Sequence, residues 1–341
     1  MKIAVYKDNL STGRGADRAV RNFAAGLAER GHDVLLMERQ DFMQFVSEGV
    51  GADEVDVIVA TGSNEIVDLD MAGYFGRKGR ARVVLQLHLA PRGFFKWRHP
   101  LRNMRIRRAF GKADAVQVLC RSYVDEFHKI APRPKVAVIG NYTEMPPPAR
   151  VVRGEPSTTI LYPAASLNRI KNQKLLIESF AAIAADHPEW KVRLLGKDTT
   201  PYAKMCRRLI AANGLSGRVE VVGFTNDLAG EYSRAAFVAF PSNLEGFPLA
   251  VLEAAQFALP VVAHRDLPGI EDIVTESTGL VTEPTVPAFA AALRRMMEDE
   301  ALRRRLGESA RQSCSCRYSR EKIIGQWEEL LAICVADGDV V

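Results

Sequence analysis

Two carboxylates eight residues apart, Glu245 and Glu253, bracket a helix start in the stretch AFPSNLEGFPLAVLEAAQFALPVVA at residues 239–263. Pro241, Ser242 and Asn243 end a strand, Gly246 permits close backbone approach, and Pro248 sets the first helical φ. A helix N-terminus presents unpaired backbone N–H groups and the positive end of a dipole, so a diphosphate can dock there without a metal. The carboxylates are then available to accept hydrogen bonds from neutral hydroxyls. A diphosphate with hydroxyl-rich groups at each end is a nucleotide sugar. The same residues also fit a plainer helix, with Glu245 as a cap and Glu253 facing water, because acidic residues are common near helix starts.

The elements that must position these groups fall in two series. A chain of 341 residues exceeds one typical core and fits two domains. Residues 3–6 read as a buried strand, followed by turn residues through Gly13 and Gly15, a helix over 16–30 stopped by Gly31, and a strand over 34–37. Strands are expected at 55–60, 82–87, 115–119 and 136–139, before Pro146, Pro147 and Pro148 open a linker. The pattern restarts at 159–162 with a loop through Ser166, Arg169 and Lys171 and a helix from Gln173. Strands at 192–195 and 219–222 end in Gly196 and in Gly223-Phe224. A strand at 237–240 leads into the carboxylate stretch, and helices are expected near 286–297, 301–314 and 319–334. This predicts an α/β chain of two parallel-sheet domains, 1–145 and 158–318, joined by a linker at 146–157. A final helix over 319–341 would cross back to the first domain.

Composition narrows the function. The Gly13-x-Gly15 loop lacks the third glycine of a dinucleotide fingerprint, although a loop after the first strand remains an expected binding edge. The five cysteines form no C-x-x-C pair and read as free thiols, with no His at metal spacing. The N-terminus meets Asp8 after a short apolar run, and no run approaches bilayer-spanning length, so a cytoplasmic protein is expected. Charge is uneven. Between Met71 and Ala113 there is no acidic residue, while twelve Lys and Arg fall there, from Arg77 to Lys112. Phe94, Phe95 and Trp97 interleave with those cations, which fits either a solvated helix face with a few core aromatics or aromatics at headgroup level on an anionic membrane, with a membrane or polyanionic acceptor favoured over nucleic acid. His88 closes the strand at 82–87 on the same edge as Gly15, a position that fits either a structural or a binding role.

EGFPLAVLEA resembles the E-x7-E motif of GT4-class retaining glycosyltransferases. RGADRAVRNFAAGLAERGHDV resembles that family's glycine loop and first helix, and KADAVQVLCRSYVDEF one of its strands. The resemblance implies a GT-B fold of two facing Rossmann-like domains and a metal-independent transfer of a hexose or N-acetylhexosamine from a nucleotide sugar, with a UDP-sugar expected. It implies that Glu253 accepts from ribose hydroxyls and Glu245 from the sugar. Backbone N–H groups around Gly246, Phe247, Pro248 and Leu249 would hold the sugar and diphosphate. Lys171 would offset charge on the leaving diphosphate, His88 would approach the sugar, and Gly15 would let backbone near the phosphates. The family usually has an arginine five residues before that lysine; here the position is Ser166, with Arg169 as the nearby second cation. Donor contacts at Ser166, Arg169, Gly196 and Phe224 complete the expected site. No cofactor or metal is expected, and a glycolipid or cell-surface polysaccharide is the expected acceptor. An epimerase on the same architecture, or a non-catalytic sugar-nucleotide binder, are the alternatives.

Overall fold

The computed structural model describes residues 1–10, 15–49, 54–95, 99–145 and 157–336. Gly13, Lys96, Trp97, Arg98 and the linker residues 146–156 lie outside them. The chain divides into two units, Met1–Tyr142 with Ser319–Val341, and Thr143–Tyr318.

In the first unit the apolar runs form β1 (Lys2–Tyr6), β2 (Asp33–Met37), β3 (Val57–Ala60), β4 (Arg82–Gln86), β5 (Ala115–Val118) and β6 (Lys135–Val138). All pair in parallel in the order β2-β1-β3-β4-β5-β6, with Val5 opposite both Leu36 and Val59. β3 and β5 are buried along their whole length, as expected for parallel strands covered on both faces. The terminal helix Arg320–Ala336 belongs to this unit and packs on the helix Gly15–Glu29. Trp327 lies 4.4 Å from Phe23 between ring centroids, Arg320 pairs with Glu29 at 2.6 Å, and His32 meets Glu328 at 3.1 Å. A Cβ on Gly26 would come within 2.5 Å of the Ile324 side chain, so the absent side chain admits that helix.

The second unit contains β7 (Thr159–Tyr162), β8 (Lys191–Leu195), β9 (Val219–Gly223), β10 (Phe237–Phe240), β11 (Val261–His264) and β12 (Gly279–Thr282). They pair in parallel in the order β12-β11-β10-β7-β8-β9. β12 was not expected: its sequence opens on a turn signal and carries only a short apolar run, yet Leu280 and Val281 align with Val262 and Ala263. The helix expected from Gln173 ends at Ala181 and continues as a short 3-10 turn at Ala184–Asp186.

Candidate functional site

In an open parallel sheet, ligands gather at the carboxyl ends of the strands where the strand order reverses. In the second unit the chain runs outward from β7 through β8 to β9, then returns to the other flank of β7 as β10. The loops after β7 and β10 therefore leave the sheet from adjacent strands, the place where such a sheet is expected to bind a ligand. Ser166, Arg169 and Lys171 are on the first loop; Glu245, Gly246, Phe247 and Pro248 are on the second, with Leu249 opening the helix Leu249–Gln256.

Side chains that composition did not single out stitch these loops together. The Asn168 side-chain oxygen accepts from the backbone N–H groups of Ile170 and Lys171 at 2.9 and 3.0 Å, and its amide donates to Ser166 Oγ at 2.8 Å. Asn243 donates its backbone N–H to the Ile170 carbonyl at 2.8 Å and its side-chain amide to the Arg169 carbonyl at 3.3 Å. Beneath them, buried Tyr162 donates its hydroxyl to the Lys171 carbonyl at 2.7 Å and lies 2.8 Å from Ser242 Oγ. A carbonyl can only accept, so the phenol proton points to Lys171 and the Ser242 hydroxyl donates to the tyrosine. Burial, reinforced by the Glu245 charge, holds the Tyr162 pKa well above the ordinary value, which keeps this donor protonated. The result of the stitching is a direct ion pair, Lys171 Nζ on Glu245 Oε1 at 2.5 Å, with both side chains mostly shielded. Arg169 is exposed.

Pro248 stands at the N-cap, one residue before the helical segment, with φ −74° and no side-chain cap on the helix. Glu253 does not face water. It is only 3% exposed, and Tyr232 donates its hydroxyl to Glu253 Oε2 at 3.0 Å. Phe247 is buried edge-on against Tyr318, which fixes the chain just before the helix. On the neighbouring strand, His264 Nε2 lies 3.0 Å from the Pro241 carbonyl and so carries the proton there, anchoring the start of the carboxylate loop. Burial holds its pKa down, keeping it neutral.

Gly196 follows β8 with φ +116°, and a Cβ there would lie 2.3 Å from the Ala164 carbonyl oxygen and 2.8 Å from the Ser166 nitrogen. Gly196 thus lets β8 close on the Ser166 loop, an arrangement completed by hydrogen bonds between Ala165, Leu167 and Lys197 at 3.0 Å. Phe224, just beyond β9, is 80% exposed.

His88 and Gly15 belong to the first unit. The ring nitrogens of His88 are buried without a hydrogen-bond partner, and burial with the nearby Lys7 charge pushes its pKa down to about 3. A Cβ on Gly15 would meet nothing within 4 Å, so the close backbone approach expected there is not enforced by the chain itself. Where the strand order of this unit reverses, between β1 and β3, Lys7 Nζ meets Glu65 at 2.6 Å and Asp8 at 3.2 Å, and Asn64 donates to Asp8 at 3.0 Å. This cluster is not visible in the sequence, because its two halves, Lys7 with Asp8 and Asn64 with Glu65, are more than fifty residues apart. The reading of Phe94 and Phe95 as headgroup aromatics needs correction. Both rings are half-buried and stand edge-on to buried Phe110, at 5.8 and 6.3 Å, so they pack toward the core and not out to a headgroup layer.

Residues 150–313 match the model of glycosyl transferases group 1. An exopolysaccharide phosphotransferase of Streptomyces coelicolor is 37% identical over 166 residues, 48% of this chain and 17% of that protein. A poly(glycerol-phosphate) alpha-glucosyltransferase of Bacillus subtilis is 26% identical over 219 residues, 63% of this chain and 32% of that one. The alignments thus span less than a third of the length of either relative. Among solved structures, HepE of Anabaena in complex with UDP superposes with a TM-score of 0.81 at 20% identity, covering 97% of this chain and all of that one.

Proposed function

We propose, from the match of residues 150–313 to the model of glycosyl transferases group 1, that the chain transfers a sugar from a nucleotide diphosphate donor, with the donor held between the loops after β7 and β10. The observation that carries the proposal is the Lys171–Glu245 pair, set at the strand-order reversal beside an uncapped helix start. The donor is a UDP-sugar by analogy with the UDP-bound structural neighbour. In this reading the diphosphate draws Lys171 and backbone N–H groups at the start of the helix Leu249–Gln256, which no side chain caps, and these supply its charge compensation in place of a metal. Glu245 accepts from sugar hydroxyls, and Glu253, oriented by Tyr232, accepts from the ribose. Ser166 and Arg169 contact the diphosphate side, and the exposed Phe224 ring offers a face to the base. His88, expected to approach the sugar, has both ring nitrogens buried within the first unit, so no donor contact is assigned to it.

A hexose or N-acetylhexosamine is transferred with retention, as the E-x7-E resemblance implies. The acceptor is a glycolipid or cell-surface polysaccharide, met at the cytoplasmic face of a membrane. Two relatives carry a polymer in their names, the exopolysaccharide phosphotransferase and the poly(glycerol-phosphate) alpha-glucosyltransferase. A transferase is favoured over an epimerase because the matching family model is one of glycosyl transferases.

A nucleotide-sugar panel tests the reading, scored by UDP release with and without an acceptor extract, in buffer containing EDTA. The expected result is acceptor-dependent release from at least one UDP-sugar, lost in Glu245→Gln and insensitive to EDTA. Conversion of a donor to its epimer without acceptor, or no turnover of any donor, would contradict it.

A further inference from the structure

The helix Pro100–Phe110 lies within the basic segment and buries Ile106, Ala109 and Phe110. Its outward face carries Leu101, Met104, Arg105 and Arg108, spaced i, i+3, i+4 and i+7, which places them in one stripe. Leu101 and Met104 are 69% and 61% exposed, and Met71, at the end of the adjoining helix Ser63–Met71, is 70% exposed. Of seven large apolar side chains exposed among the described residues, two thus lie on this helix and a third at the end of the helix packed against it. The two helices pack together, and Asp70, next to Met71, pairs with Arg108 at 3.3 Å and with Lys112. On the other side, Asp114 is engaged by Arg80 at 2.7 Å and Arg82 at 3.3 Å. The acids that flank the segment are therefore neutralised inside it, and Arg105 projects with no acidic partner among the described residues.

Unbranched and aliphatic side chains between cations suit a lipid surface. Tails accept Leu and Met while headgroup phosphates accept Arg and Lys. A surface for single-stranded nucleic acid would instead present stacking aromatics, whereas here Phe94 and Phe95 are half-buried against Phe110. No helix among the described residues is long and apolar enough to cross a membrane, so attachment through this face would be peripheral. We propose that the outward stripe of the helix Pro100–Phe110, with Met71 beside it, docks the chain on an anionic phospholipid bilayer. The proposal rests on the glycolipid reading only for its purpose; the docking is independent of turnover.

Vesicle flotation tests it with the full chain, using equal parts phosphatidylglycerol and phosphatidylcholine against phosphatidylcholine alone. The wild type is expected to float with the anionic vesicles only and to be released by salt. Each cation near such a surface strengthens partitioning by about fivefold, so Arg105→Glu should weaken it by about tenfold or more. Leu101→Ser with Met104→Ser should weaken it by at least about tenfold, through lost apolar burial. Both variants keep the wild-type melting temperature because the positions are exposed. Failure of the wild type to float, equal flotation with neutral vesicles, or undiminished flotation of either variant overturns the proposal. UDP release with a water-soluble acceptor, measured in parallel, stays unchanged in these variants and reports separately on the transferase reading.

Discussion

Replacing Gly196 by alanine should damage the donor site, whereas the same change at Gly223 should cost only backbone strain. Both glycines have positive φ, +116° and +85°, but a Cβ at Gly223 meets nothing within 4 Å. Alanine there loses about 1–2 kcal/mol. At Gly196 the new carbon would stand 2.3 Å from the Ala164 carbonyl oxygen, whereas an ordinary contact begins near 3.4 Å. Backbone must therefore retreat by about 1 Å, the difference of those two distances. The atoms that retreat are rigid main chain at the end of β7, so the total rises to about 3–5 kcal/mol. At about 2–4 °C per kcal/mol for a unit of this size, Gly223→Ala should melt a few degrees below wild type and Gly196→Ala about 10 °C below. The displaced segment carries Ser166 and leads to Lys171, so Gly196→Ala should also weaken UDP binding about tenfold or more, while Gly223→Ala leaves it within about twofold. Differential scanning calorimetry and calorimetric titration with UDP read both effects. Equal melting shifts, or wild-type UDP affinity in Gly196→Ala, would refute the close-approach role.

Lys171→Met should lower turnover by about a hundredfold or more, the usual effect of removing one donor to a developing oxyanion, while stability changes by about 1 kcal/mol; near-wild-type turnover would remove Lys171 from the chemistry. Tyr232→Phe removes the hydroxyl bonded to Glu253 Oε2 and should raise the UDP dissociation constant about three- to tenfold, read by titration; an unchanged constant would mean that Glu253 needs no such orientation. His88 has a folded pKa near 3 against an ordinary 6.5, so the unfolded chain binds the extra proton between those values. The stability from keeping this ring neutral is therefore present above pH 6.5 and lost progressively as pH falls toward 3. His88→Gln should flatten that part of the urea-midpoint profile between pH 6.5 and 5, and an unaltered slope would contradict the buried neutral ring.

Strand positions were legible because each apolar run of the two sheets is bounded by turn residues, and the parallel class followed from their alternation with helices. β12 escaped because Gly279 and the half-exposed Leu280 to Thr282 mimic a turn. Strand order is a tertiary fact. Nothing local shows that the chain returns from β9 to lie beside β7, and that return brings Lys171 to Glu245, 74 residues away. The positioning groups stayed hidden for a similar reason. Asn168 and Asn243 look like ordinary loop residues, and Tyr162, Tyr232 and His264 like ordinary core residues, until their polar atoms have partners. The helix N-terminus beside Glu245 could be read from Gly246 and Pro248, but whether Glu253 faced water or the interior depended on the helix's packing. The basic segment was visible as charge. Its apolar contribution was misplaced onto Phe94 and Phe95, since exposure depends on Phe110 lying beneath them.

A crystal structure of the chain soaked with UDP tests the central claim most directly. The account predicts the diphosphate at the start of the helix Leu249–Gln256, within reach of Lys171 Nζ, and ribose hydroxyls about 2.6–3.2 Å from the Glu253 carboxylate. UDP bound elsewhere, or a site that stays empty at saturating UDP with the Lys171–Glu245 pair intact, would contradict it.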